Sequence, residues 1–168
     1  MSDLLGWFVG RIPDGWFSEP VEVEWDRDEI IVTGTLAAPD VGNAGEATER
    51  EAEQSRIEGF REETRQRRMD IAAAAELHFE RKVSWAVRCG ATHMLFTHLA
   101  APIMTRLRMA ERQVLDTLID AGVARSRSEA LQWCVKLVGR HEREWLDDLR
   151  QAMEQVEAVR AQGPRSER

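Results

Sequence analysis

Tyrosine is absent from the 168 residues, and cysteine and lysine occur only twice each. Cys89 and Cys134 are too few and too far apart for a disulfide framework, so a reducing compartment fits. No apolar run approaches the roughly 20 residues that a spanning helix needs. The most apolar later stretch, Met94 to Met104, is broken by Thr97, His98 and Pro102. The opening MSDLLGWFVGRIP has no basic leader, and its apolar run is too short for a signal sequence; a cytoplasmic protein without membrane association is the expectation. There is no nucleotide-binding glycine loop, Walker lysine, His-Glu-x-x-His, Gly-x-Ser-x-Gly elbow or calcium loop. Carboxylates are so abundant that no pair stands out as an acid and base. The chain is therefore expected to be no enzyme, with no catalytic residues and no cofactor.

What the sequence does contain is charge, unevenly placed. Thirty acidic against 23 basic residues give a net charge of −7, which argues against a uniformly basic coat protein for nucleic acid or membrane. Arg81 to Arg140 nevertheless holds ten basic residues and four acidic ones, a block of +6 that leaves −13 for the remainder. Such a block is what a localised anion-binding face needs, although charge runs usually only solvate a surface. The basic residues are 21 Arg and 2 Lys, a skew that points to a high-GC genome more than to a function.

Residues 1–36 carry two aromatic pairs, Trp7-Phe8 and Trp16-Phe17, beside turn residues, and these are expected to anchor an irregular arm to a core. Val21 to Trp25 and Glu29 to Thr33 have strand character around Asp26-Arg27-Asp28, which predicts a hairpin. Alternation in the first strand sets Val21, Val23 and Trp25 on a buried face. Residues 37–47, AAPDVGNAGEA, have the composition of a linker. Residues 48–80 predict a long charged helix, partly free in solvent, with Glu58/Arg61, Glu62/Arg65 and Glu63/Arg67 spaced for ion pairs and Met69, Ile71, Leu77 and Phe79 packing its end. A second hairpin, Lys82 to Arg88 and His93 to Thr97, opens the segment 81–140. Residues 141–168 predict a helix and a polar tail, with Trp145, Leu149, Ala152, Val156 and Val159 spaced as a seam for a partner helix.

Cys89, His93 and His98, with His78, are residue types that zinc takes. The spacing is not that of a common finger or enzyme, and alternate strand residues point to opposite faces, so no metal is expected. Cys134, beside Leu131 and Val135 on an apolar helix side, is expected to be a buried structural thiol.

PIMTRLRMAERQVLDTLIDAGVARSRSEALQWCVKLV has a strand-sized start, a helix, a turn at Gly122 and a helix capped by Ser126 with Glu129 three residues on. From Pro102 to Val138 it resembles the ribbon-helix-helix family of DNA-binding proteins, through the turn Arg125-Ser126-Arg127-Ser128-Glu129 and its distance from Leu107. The resemblance implies that two chains pair one strand each into a ribbon in the major groove. Met104, Arg106 and Arg108 then face DNA while Ile103, Thr105 and Leu107 face inward. It also implies a phosphate clamp at Ser126, Arg127 and Ser128, with Arg125 adding charge. Arg stands at 108 where the family usually has Pro, and Met104 is a poor base reader. Ile103, Leu107, Ala110, Val114 and Leu118 equally suit one continuous helix beginning at Pro102. The region from Phe79 onward also resembles an uncharacterised family of high-GC Gram-positive (actinobacterial) proteins.

These expectations combine into an α+β chain with an amino-terminal β-hairpin, a long charged helix, a second β-hairpin and a helical carboxy-terminal module like ribbon-helix-helix. The leading functional expectation is a DNA-binding transcriptional regulator acting as a homodimer. The alternative is a non-enzymatic interaction or assembly factor that holds a protein partner through helices 48–80 and 141–161.

Overall fold

The computed structural model describes residues 2–42 and 44–162; the polar tail expected at 163–168 lies outside the described residues. The chain divides into two units, Met1–Ile103 and Met104–Arg168. The hairpin and helices grouped by sequence as 81–140 thus belong to different units.

In the first unit, helix α1 (Ser2–Val9) precedes strands β1 (Glu22–Trp25) and β2 (Glu29–Leu36). Asp26 Oδ1 accepts the Asp28 and Glu29 N–H groups at 2.9 and 2.8 Å and closes the expected hairpin. Helices α2 (Glu46–Glu63) and α3 (Arg65–Phe79) follow, then β3 (Lys82–Cys89) and β4 (Thr92–Leu95). The strands form one sheet in the order β1-β2-β3-β4. Both hairpins are antiparallel, and β2 and β3 join them in parallel from Glu29↔Lys82 to Leu36↔Cys89. A parallel pair needs a crossover, and the α2–α3 run supplies it.

This register places Ile30, Val32 and Leu36 beside Val83, Trp85 and Val87 on the face that carries the core. Gly34 lies in the same row, and a Cβ built there would overlap the Phe17 ring. The ring therefore fills the space of the missing side chain, which explains a glycine inside a central strand. The aromatic pairs do anchor the chain, but α1 is helical rather than irregular. β1 is an edge strand: Val23 is half-buried and Trp25 is exposed, contrary to the expected buried face.

The charged helix is not free. It breaks at Thr64, where φ −95 and ψ 0 depart from regular helix values, and both halves bury residues: Glu53 and Ile57 in α2, Arg68, Ile71 and Ala75 in α3. Its inward stripe uses alanines and the stems of polar side chains, so a search for large apolar residues underestimates it. Met69 and Leu77, expected to pack, are exposed.

Buried Glu53 accepts the Thr92 hydroxyl at 2.6 Å and the Ala91 N–H at 3.2 Å, holding the β3–β4 turn to α2. Gly90 has φ +55, and a Cβ there would collide with the Glu53 carboxylate. The Thr92 hydrogen bond holds Glu53 below the usual carboxylate range, and the Arg88 guanidinium does the same to Glu22 across β2. Because both folded values are depressed, their stabilisation is complete above the unfolded carboxylate pKa and disappears as pH falls through the folded ones. Acid titration below about pH 4 is therefore expected to lower the melting temperature, and Glu53→Gln is expected to flatten that decline.

In the second unit, α4 (Met109–Asp120), α5 (Arg127–His141) and α6 (Arg143–Gln162) follow one another. The Val123 N–H donates to Leu118 O and the Gly122 N–H to Ile119 O, both at 2.9 Å, and Gly122 has φ +74. This double bond pattern with a left-handed glycine is a Schellman stop, which turns the chain after α4. Gly139 lies within α5, and the helix ends at His141. Among the described residues of this unit only Leu115, Ala124 and Ala130 are buried, with Leu107, Leu118, Ile119, Leu131 and Cys134 packed around them.

Candidate nucleic-acid interface

Residues 97–108 form neither helix nor strand, and α4 starts only after Arg108, whose backbone is extended at φ −78 and ψ 177. A continuous helix from Pro102 is therefore ruled out, and no strand partner for 103–108 exists among the described residues. Arg112 Nη1 donates to Leu107 O at 2.7 Å, while the Leu107 side chain packs on the small core. These two contacts tie down the carboxy end of the segment. Met104 (94% exposed), Arg106 and Arg108 project into solvent, as does Ile103 (82%).

At the start of α5 the expected cap is present: Ser126 Oγ accepts the Glu129 N–H at 3.2 Å. The Glu129 carboxylate accepts the Arg125 N–H at 2.7 Å, so it satisfies a donor just before the helix and places a negative charge there. The N–H groups of Ser126, Arg127 and Ser128 have no acceptor among the described residues. All four residues from Arg125 to Ser128 are exposed.

Arg127 departs from its expected role. Its Nε and Nη2 bind the two Asp116 oxygens at 2.7 Å each, joining α5 to α4. Asp116 is held below the usual carboxylate range by this pair, and Arg127 is pushed up. Its charge is thus already engaged, which leaves Arg125 as the basic side chain at this helix start without an ion pair among the described residues. Two members of the basic block in the first unit are engaged as well: Lys82 by Glu76 at 2.7 Å, and Arg88 by Glu22 at 2.6 Å. The +6 count therefore does not describe one free cationic face.

Cys89 is buried with its thiol directed to Ala37 O, and burial pushes its pKa up. No group of three or more His, Cys, Asp or Glu residues capable of holding a metal is found among the described residues. No helix among them is long and apolar enough to cross a membrane.

Residues 2–95 match the Rv1265-like protein N-terminal domain, and residues 108–160 match the Mb1296 C-terminal domain. The boundary between these matches falls in the segment without regular structure. The chain is 54% identical over 166 residues to the uncharacterized protein Mb1296 of Mycobacterium bovis, covering 97% of this chain and 71% of the relative. The uncharacterized proteins MT1303 and Rv1265 of Mycobacterium tuberculosis match with the same identity and coverage. No solved structure matches significantly. From the agreement of both domains and of nearly its whole length with these mycobacterial proteins, the chain belongs to the Rv1265-like family.

Proposed function

We propose that the second unit, with residues 103–108 ahead of it, is a DNA-binding module of a regulator that works as a homodimer. The observation that carries this is segment 103–108, which is neither helix nor strand and is exposed at every position but Leu107, immediately before two helices joined by a Schellman turn. A strand-length segment whose backbone groups from 103 to 106 have no partner among the described residues is a template for pairing with another chain. A second copy pairing in antiparallel fashion covers Ile103 and Thr105 and presents Met104, Arg106 and Arg108 on the opposite face. The small core supports the same association, because three buried residues are a thin basis for a unit of this length.

On DNA, Arg106 reads a guanine edge and the free N–H groups at Ser126 to Ser128 hold a phosphate beside Arg125. Arg127 acts by fixing α5 against α4 rather than by lending free charge. Fluorescence anisotropy with promoter and random duplexes at roughly 50 and 200 mM salt tests the proposal. About six phosphate contacts lose on the order of 1000-fold in affinity across that range. Arg106→Ala is expected to weaken promoter binding and to relax base preference by about 1–3 kcal/mol. Absence of binding to either duplex at the lower salt overturns the proposal.

One feature favours a second function, a protein-interaction factor: α6 exposes Trp145, Leu149, Val156 and Val159 along one seam. That function predicts a stable complex indifferent to DNA.

A further inference from the structure

The first unit contains a cationic recess of about 560 Å³ along the α2–α3 run, lined by Glu58, Arg61, Glu62, Arg65, Arg68 and Phe96. The spacings between Glu58 and Arg61, and between Glu62 and Arg65, favour local ion pairs, yet neither pair forms. Arg68 is 7% exposed and has no carboxylate partner among the described residues. Its Nε donates to Thr64 Oγ1 at 2.9 Å and its Nη2 to Arg61 O at 2.7 Å. The third nitrogen, Nη1, has no acceptor among the described residues and is not sealed from solvent.

The guanidinium of Arg68 lies 4.6 Å from the centre of the Phe96 ring, and that of Arg61 lies 5.5 Å from it. One aromatic face thus holds two cations close together. Burial first, then the charges of Arg61 and Arg65, push the Arg68 pKa down to about 10. A buried cation surrounded by like charges is costly unless an anion joins it. The bonds to Thr64 and Arg61 account for Arg68 as a cap at the helix break. Arg61 Nη2 donates to Phe96 O at 3.4 Å. These bonds do not account for Arg61 and Arg65 sharing the same recess without a carboxylate partner among the described residues.

We propose that this recess binds a small phosphorylated molecule with hydroxyl groups, of the sugar phosphate or nucleotide class. The phosphate sits among Arg61, Arg65 and Arg68, where planar guanidinium forks match its oxygens. Glu58 lies seven residues before Arg65, on the other side of the helix break at Thr64. Glu58 and Glu62 line the same recess and offer acceptors to the hydroxyl groups of the ligand. The carboxylates repel the phosphate group of either ligand alike, and only the ester adds sugar hydroxyl groups for them to accept from, which is what selects the ester.

Calorimetric titration of the full chain with inorganic phosphate, ribose 5-phosphate and adenosine 5′-monophosphate, at constant ionic strength, tests this site. Ribose 5-phosphate is expected to bind at least about tenfold more tightly than phosphate, the equivalent of one good hydrogen bond. A further gain with the nucleotide identifies that source; equal affinity identifies the sugar phosphate. Arg65→Gln, at an exposed position whose side chain makes no bond in the chain, is expected to lose at least about tenfold for both esters while melting normally. Glu58→Gln is expected to narrow the gap between ester and phosphate. No heat with any probe at millimolar concentration, unchanged affinity in Arg65→Gln, or phosphate binding as tightly as its esters overturns the proposal. Arg68→Lys, which keeps the charge but not the fork, is expected to weaken binding of both esters and, through the lost bonds to Thr64 and Arg61, to lower the melting temperature; unchanged binding overturns the proposal.

Discussion

Phe8→Ala is expected to cost the first unit about 3–5 kcal/mol, the range for removing a large side chain from a closed core. Phe8 is fully buried, with ring centroids 6.3 Å from Trp85, edge-on, and 6.5 Å from Phe79. An eight-residue helix has almost no stability of its own, so α1 persists only through the residues it docks. Leu4 is its other buried anchor, while Leu5 and Val9 are exposed. Losing Phe8 therefore loosens the helix and removes the ring that bridges α3 and β3. Trp85 Nε1 is buried beside it without an acceptor; water entering the cavity can satisfy that donor and holds the loss toward the lower end of the range. Urea unfolding followed by Trp fluorescence measures the effect. Trp25→Ala on the exposed edge is the comparison, expected to change stability by less than about 0.5 kcal/mol. A Phe8→Ala loss as small as that would mean that α1 is not docked on the sheet.

Short-range chemistry was the most legible part of the chain. The Ser126 cap, the Gly122 turn and the Asp26 turn each depend on residues within five positions of one another, and each forms as the sequence implies. Long-range pairing was not visible in the same way. Both hairpins were identifiable, but nothing local indicates that β2 and β3 pair in parallel, because the pairing depends on a crossover of more than 40 residues. The crossover reads as a partly free helix because its inward face carries Ala75, Glu53 and Arg68 between its two buried isoleucines, Ile57 and Ile71, so the apolar stripe is sparse. The Asp116–Arg127 pair spans eleven residues across a turn, beyond any helical spacing rule. The recess at Arg61, Arg65 and Arg68 shows the opposite error. Its arginines and glutamates have the spacings of surface ion pairs, but the buried position of Arg68 and the Phe96 ring, supplied from beyond β4, draw the guanidinium groups together instead.

Ile103→Asp provides the sharpest test of the second unit, because its two expected effects differ so widely. In a single chain Ile103 is 82% exposed, so an aspartate there is nearly neutral for stability. In a ribbon of two copies the same position lies on the inward face, where two carboxylates meet across the pair without solvent or counterion. The proposed homodimer is therefore expected to fall apart at micromolar concentration, and promoter affinity is expected to drop at least about 100-fold, since each half then binds alone. Sedimentation with the anisotropy assay reads both quantities, and circular dichroism verifies that the helices persist. Leu107→Asp is the less informative substitution, because Leu107 already packs on Leu115 and its neighbours and would damage the single chain as well. If Ile103→Asp leaves the oligomer intact, the ribbon is not the contact. Leu149→Asp, on the exposed seam of α6, is then the change expected to dissociate it, and the helical seam rather than the extended segment is where the two chains meet.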